Sequence, residues 1–285
     1  KFKVFGKSQN NSINGNGLNV VFTDRKDNLI WIGNSRTGRN SFNCRTSKFT
    51  SYRYDPKREN GISNDGITDI TDDRIGNLWI ATYSGGVDHF DKRKERFEHY
   101  NTHTVRGLVS NMCWHVCDDQ HGNLYVAHVS DGMSVINIRN KTAHNYRNNI
   151  DDPGSIPDNN VSVIYKDSYN NIWVGTKNGL ALFNPNDGKF IVFRSIPGDE
   201  NSLSSNFIRC IDETSDKKLL IGTEKGGLNI LDLKQLLFSK SIYHAHFERV
   251  TAGYKSNQLS HSNVNCIYDD CFDNVWVGTD GGINF

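Results

Sequence analysis

Between residues 160 and 195 the chain alternates short apolar runs with polar turns. NVSVIYKDS (160–168) is apolar and rich in β-branched residues. NNIWVGT (170–176) follows a polar turn, GLALFNP (179–185) follows Lys177-Asn178, and KFIVFRS (189–195) follows NPNDGK. Runs of about four to seven residues bounded by Asn, Asp, Gly and Pro are too short for helices and predict four antiparallel strands joined as a meander.

The same phrase recurs. GNLWIATYSGGVDHFD stands at 76–91, DKKLLIGTEKGGLNILD at 216–232 and DNVWVGTDGGINF at 273–285. Anchored on Trp31, Trp79, Tyr125, Trp173, Leu220 and Trp276, the spacings are 48, 46, 48, 47 and 56. A period near 47 falls among propeller blades. One such sheet cannot cover its own apolar faces, whereas sheets packed face to face bury one another, and the aromatic anchor suits the gap between them. The expectation is an all-β fold, a β-propeller of four-stranded antiparallel blades in six repeats; a β-sandwich or barrel would not need six copies of one unit. The whole of 1–285 reads as one propeller domain or propeller fragment, with repeats near 13–61, 62–107, 108–155, 156–202, 203–258, and 259–285 plus 1–12. KFKVF (1–5) resembles KFIVF (189–193), so the N-terminal strand is expected to complete the last blade and close six blades; the alternative is a segment of a larger propeller. The fifth repeat carries about nine extra residues, expected within 240–262.

Composition narrows the function. A net charge of +1 offers no field for nucleic acid or an acidic membrane. No apolar run approaches the roughly 20 residues of a membrane helix. Lys1 opens directly into KFKVF with no signal peptide, as a processed extracytoplasmic chain or a cytosolic one would. Six cysteines, at 44, 113, 117, 210, 266 and 271, are too sparse for a disulfide scaffold and lack zinc spacing; buried free thiols are expected.

Catalytic signatures are weak. Tyr83-Ser84-Gly85-Gly86 belongs to the repeated turn, and Gly6-Lys7-Ser8 lacks the upstream glycine of a phosphate loop. His244 and His246 would share one strand face, but no third metal ligand is evident. Asp72-Asp73, Asp118-Asp119 and Asp167 recur with the repeat and read as turn-formers. Neither a catalytic residue nor a metal or other cofactor is assigned.

Function in a repeat protein is expected where copies differ. The fourth-to-first connections, such as DPKRENGISNDG and SIPGDENSLSSN, are long and polar, and they share a propeller face with the second-to-third connections. On that face Arg36, Tyr83, His128, Lys177, Glu224, Lys225 and Asp280 are chemically diverse although the flanking strands repeat. Trp114 and Arg209 break the pattern near the start of innermost strands. These nine are the candidate ligand-binding residues. Amides and guanidinium groups beside an aromatic platform suit sugars, and the cations suit sulfate or uronate.

NLWIATYSGGVDHFD and NIWVGTKNGLALFNP resemble the two-component regulator propeller repeat, whose pattern covers essentially the whole chain. The match loosens at LIWIGNSRTGRNSFN, at Tyr125 and at Leu220. The resemblance implies the periplasmic sensor region of hybrid two-component histidine kinases of Bacteroides-type bacteria, which detect oligosaccharides. It implies further sensor domains of the same parent chain as partners; the charge balance leads to no expectation of direct nucleic-acid contact, and a homodimer is expected only under the scaffold reading below. A non-catalytic sensor is therefore expected. A propeller-fold polysaccharide lyase or glycosidase, and a protein-interaction scaffold, are the alternatives.

Overall fold

A computed structural model describes residues 5, 11–73, 75–238, 245–255, 257–270, 272 and 274–285. The fold is an all-β propeller of six blades with four-stranded antiparallel sheets and almost no helix. Among the described residues the sixth sheet has three strands. Residues 1–4, which with Phe5 make up the proposed closing strand, lie outside the described residues, as do His244 and Cys271.

The chain forms two compact units. The first comprises residues 1–129 and 133–145. Its first sheet is β1 (Leu18–Asp24), β2 (Leu29–Asn34), β3 (Arg39–Asn43) and β4 (Lys48–Tyr52). The second is β5 (Ile67–Asp72), β6 (Leu78–Thr82), β7 (Val87–Asp91) and β8 (Arg96–Tyr100). The third is β9 (Cys113–Asp118), β10 (Asn123–His128), β11 (Met133–Asn137) and β12 (Thr142–Tyr146). The second unit comprises residues 130–132 and 146–285. It holds a fourth sheet of β13 (Val161–Lys166), β14 (Ile172–Thr176), β15 (Gly179–Asn184) and β16 (Lys189–Phe193). The fifth is β17 (Ile208–Glu213), β18 (Lys218–Thr223), β19 (Gly227–Asp232) and β20 (Phe247–Val250), and the sixth β21 (Val264–Asp269), β22 (Val275–Thr279) and β23 (Gly282–Asn284). Each sheet runs in sequence order, as a meander must. The extra length of the fifth repeat lies between β19 and β20 and opens with a short helix, α1 (Leu233–Phe238), earlier than expected. Leu233 and Leu236 turn that helix inward: both are buried in the apolar cluster around Trp173, Leu219 and Phe247.

Five anchors are buried as their chemistry demands: Trp31, Trp79, Tyr125, Trp173 and Leu220 are at most 3% exposed. Trp276 in the three-stranded sheet is 42% exposed. The glycine two residues after the anchor is a packing requirement. A Cβ at Gly175 would sit 2.6 Å from Val163 and 2.7 Å from Ile208 of the next sheet. The recurrent aspartates make the turns between first and second strands. Asp167 Oδ1 accepts the N–H groups of Tyr169 and Asn171, and its Oδ2 accepts from Asn171 Nδ2 and Trp173 Nε1, both at 2.8 Å. Asp73, Asp119 and Asp270 hold Asn77, Asn123 and Asn274 in the same way.

Candidate functional site

A β-bulge marks the start of every innermost strand. The register slips across Asn19, Thr68, Trp114, Ser162, Arg209 and Asn265, leaving each without a ladder partner. Such a bulge re-aims the side chain it carries. Most of these residues use the freedom to tie neighbouring sheets together. In the first unit Asn19 Nδ2 donates to the Ile67 carbonyl and Thr68 Oγ1 to the Cys113 carbonyl, each at 2.9 Å. In the second, Ser162 Oγ donates to the Ile208 carbonyl at 2.5 Å, and Arg209 Nη1 to Asn265 Oδ1. Trp114 occupies the same bulge with an indole and is 46% exposed.

Trp114 forms a wall of a cavity of about 680 Å³ in the first unit. Arg36 from the β2–β3 turn and Tyr83 from the β6–β7 turn line it, with Tyr54, Asn64 and Asp65 from the loop between β4 and β5. Tyr54 and Tyr83 are each 50% exposed. The size falls within the few hundred to about 1,000 Å³ typical of small-molecule sites. Its chemistry is three exposed aromatic faces, one guanidinium, one carboxylate and the amides of Asn19 and Asn64. Asp65 is fixed in place: its Oδ1 accepts the Tyr54 N–H at 2.8 Å. Asn64 is oriented likewise, with Oδ1 accepting from Gly66 N at 2.7 Å and Nδ2 donating to Ser84 Oγ at 2.8 Å.

In the second unit the structure joins Arg209, Glu224, Lys225 and Asp280 into one network. Arg209 Nη2 meets Glu224 Oε2 at 3.0 Å. Asn265 Nδ2 and Asn263 Nδ2 donate to the two oxygens of Asp280 at 2.7 and 2.6 Å, and these bonds hold the Asp280 carboxyl below the usual carboxylate range. Asn263 Oδ1 accepts the Lys225 backbone N–H at 2.8 Å. Lys177 adjoins this group through Phe207, whose ring centre lies 5.8 Å from Lys177 Nζ and 5.7 Å from Arg209 Cζ. The network is largely self-satisfied, in contrast to the open aromatic cavity.

His128 requires correction. It was expected in a second-to-third connection, but it is the last residue of β10 and is fully buried. It stands where Thr82, Thr176 and Thr223 recur, and its Nε2 lies 2.8 Å from Ser134 Oγ. Replacement of Gly-Thr by Ala-His hid the register by one residue, so a structural histidine looked like a loop residue. Sequence reasoning missed Tyr54, Asn64, Asp65 and Phe207. Tyr54 and Phe207 carried a usable signal, each being an aromatic beside or within a polar connection.

The profile of the two component regulator propeller family matches residues 61–84 and 155–178, the loop and first two strands of the second and fourth sheets. No curated protein matches the sequence significantly. Among solved structures, the extracellular domain of the hybrid two component system BT3049 from B. thetaiotaomicron is 35% identical, with a TM-score of 0.83 over 97% of this chain and 34% of that one. The corresponding domain of BT4673 from the same organism is 21% identical, with a TM-score of 0.72 over 98% of this chain and 36% of that one. PorZ, a surface component of the type-IX secretion system of Porphyromonas gingivalis, is 16% identical and shares the fold, with a TM-score of 0.68 over 93% of this chain and 38% of that one. The chain thus spans about a third of the length of these solved structures. With family matches in two sheets and a one-third-identical counterpart along nearly its whole length, the chain belongs to the two-component regulator propeller family.

Proposed function

We propose that the chain is a non-catalytic, periplasmic sensor module of a membrane-anchored hybrid two-component system, and that it recognises an oligosaccharide in the cavity of its first unit. The observation that carries this reading is the convergence of Trp114, Tyr83, Tyr54 and Arg36 on one cavity of about 680 Å³. Pyranose rings present flat C–H faces to aromatic rings and a rim of hydroxyls to planar amides, carboxylates and guanidinium groups. The cavity supplies both. Arg36 adds a fixed positive charge suited to a sulfate or uronate substituent.

Two-carboxylate glycoside hydrolysis needs paired acids flanking one bond. The cavity lining contributes one carboxylate, Asp65, already engaged by the Tyr54 N–H. That favours binding over hydrolysis. The family relationship and the extracellular placement of BT3049 support a sensor role, with further domains of the parent chain as the partners that relay occupancy. Among the described residues no helix is long and apolar enough to cross a membrane.

The test is a panel of neutral, uronate-containing and sulfated oligosaccharides, followed by calorimetry and by product analysis. Saturable heat without new reducing ends or unsaturated products is expected. Turnover of any member would overturn the non-catalytic reading.

A further inference from the structure

The β2–β3 hairpin departs from its counterparts where they agree. At the end of the second strand, Thr82, Thr176 and Thr223 donate a buried hydroxyl to the carbonyls of Gly86, Gly179 and Gly227 at 2.8 Å, closing the turn. Asn34 stands there instead. It is buried, and neither its amide nitrogen nor its oxygen has a hydrogen-bond partner among the described residues. At the start of the third strand Val87, Met133, Leu180 and Leu228 are buried, and Arg39 takes their place with no exposed surface. None of its three nitrogens makes a well-formed hydrogen bond among the described residues; the Tyr52 hydroxyl is the one acceptor drawn to it, outside strict bonding geometry. Thr37 Oγ1 and Asn40 Nδ2 share that condition.

Arg39 lies in an aromatic cage. Its Cζ is 4.4, 4.2, 4.1 and 5.2 Å from the ring centres of Trp31, Tyr52, Phe90 and Phe97, which belong to the first and second sheets. Burial pushes the guanidinium down to about 9, against the opposing pull of Tyr52 and Asp88. Ring faces and the Tyr52 hydroxyl offset part of the loss of hydration, but N–H groups without well-formed bonds leave the rest standing. The β10–β11 hairpin departs as well, with the buried His128 at the Thr position, but Asn34, Thr37, Arg39 and Asn40 gather their conflicts in one segment, and such conflicts collect at functional elements.

That segment also touches the cavity. Ser35 and Arg36 line it, and the turn is tethered on that side by Ser35 N to the Gly17 carbonyl at 2.9 Å and Gly38 N to the Asp65 carbonyl at 2.8 Å. Only Thr37 and Gly38 separate a cavity-facing guanidinium from a caged one.

We propose that hairpin 34–40 is a two-state element: ligand contact at Arg36 selects a second arrangement in which Arg39 shifts within its cage, carrying cavity occupancy into the seam between the first and second sheets. The trigger rests on the ligand reading given above; the instability of the hairpin does not. A ligand can move such an equilibrium only through different contacts with the two states, and Arg36 supplies the difference.

Amide hydrogen exchange on the ligand-free protein tests the element itself. Residues 34–40 are expected to exchange at least about tenfold faster than the equivalent 82–88 hairpin. Arg39→Leu and, separately, Asn34→Thr restore residue types of the other repeats; each should slow exchange at 34–40 and raise the unfolding midpoint. Equal protection of the two hairpins, or a lowered midpoint in both variants, overturns the proposal. With the oligosaccharide panel as probe, binding should alter exchange at 34–40 and at 90–97 in the wild type, and the 90–97 response should vanish in Arg39→Leu. Binding that leaves 34–40 unchanged overturns the switch and leaves the pocket standing. Fast exchange at 34–40 with no binding by any member supports the metastable hairpin and counts against the pocket.

Discussion

His99 Nδ1 lies 2.7 Å from Asp88 Oδ1, and Asp88 is fully buried. The other oxygen of Asp88 accepts both the N–H and the hydroxyl of Ser63, at 2.8 and 2.9 Å. His99 Nε2 faces the Glu59 carbonyl at 3.0 Å. One carboxylate thus ties β7 and β8 to the loop that leads into the second sheet.

A pH dependence follows. The Asp88 hydrogen bond raises the His99 imidazole above its ordinary 6.5, outweighing burial. A raised folded-state value means that the stabilisation is complete below about 6.5 and is lost as pH rises through the folded value. With the imidazole 26% exposed, its contribution is at most about 1 kcal/mol. Urea midpoints of wild type and His99→Gln should differ most at about pH 5 and draw together as pH rises above about 6.5. A gap that widens with pH would refute the assignment.

The turn aspartates make a second expectation. Asp167 is 1% exposed and accepts four hydrogen bonds, one from the buried Trp173 indole. Asp167→Ala strands those donors and should cost about 3 kcal/mol, read as a lower denaturant midpoint. Asp270→Ala, in the more open sixth sheet, should cost about 1 kcal/mol or less.

The glycine after each anchor is set by its neighbour. Gly33, Gly175 and Gly222 face Ile67, Ile208 and Val264 of the following sheets, each β-branched. In the second sheet Ala81 occupies the position, and Cys113 is the residue corresponding to Ile208. Gly175→Ala should therefore destabilise by about 1–3 kcal/mol, and Ile208→Cys should recover part of that in the double variant, the contact with Val163 remaining. Additive losses in the cycle would show that the two positions do not share the space.

The sequence made the scaffold readable because scaffold is what repeats: the anchors, the Asp–Asn turns and the small residue after the anchor recur, and each has one physical job. Deviations were harder to place. Trp114 and Arg209 stood out as breaks in the pattern near the start of innermost strands; the bulge that carries each of them has no local mark in the sequence. His128 was misplaced because a lost Gly-Thr pair removed the local ruler. Arg39 gave no warning: an arginine beside a glycine turn reads as solvated, and the cage that buries it is completed by the rings of Phe90 and Phe97, some fifty residues away in sequence. Tyr54 and Asp65 meet Arg36 and Trp114 through loop closure across three sheets, which no local pattern encodes.

The most direct measurement is calorimetric titration of wild type and Trp114→Ala with the oligosaccharide panel, alongside their urea midpoints. Trp114 is 46% exposed and its bulge position makes no ladder bond, so truncation should leave the midpoint within about 0.5 kcal/mol of wild type. Loss of its stacking face should weaken binding about tenfold or more. Unchanged affinity in a folded Trp114→Ala protein would contradict the assignment of the first-unit cavity as the recognition site.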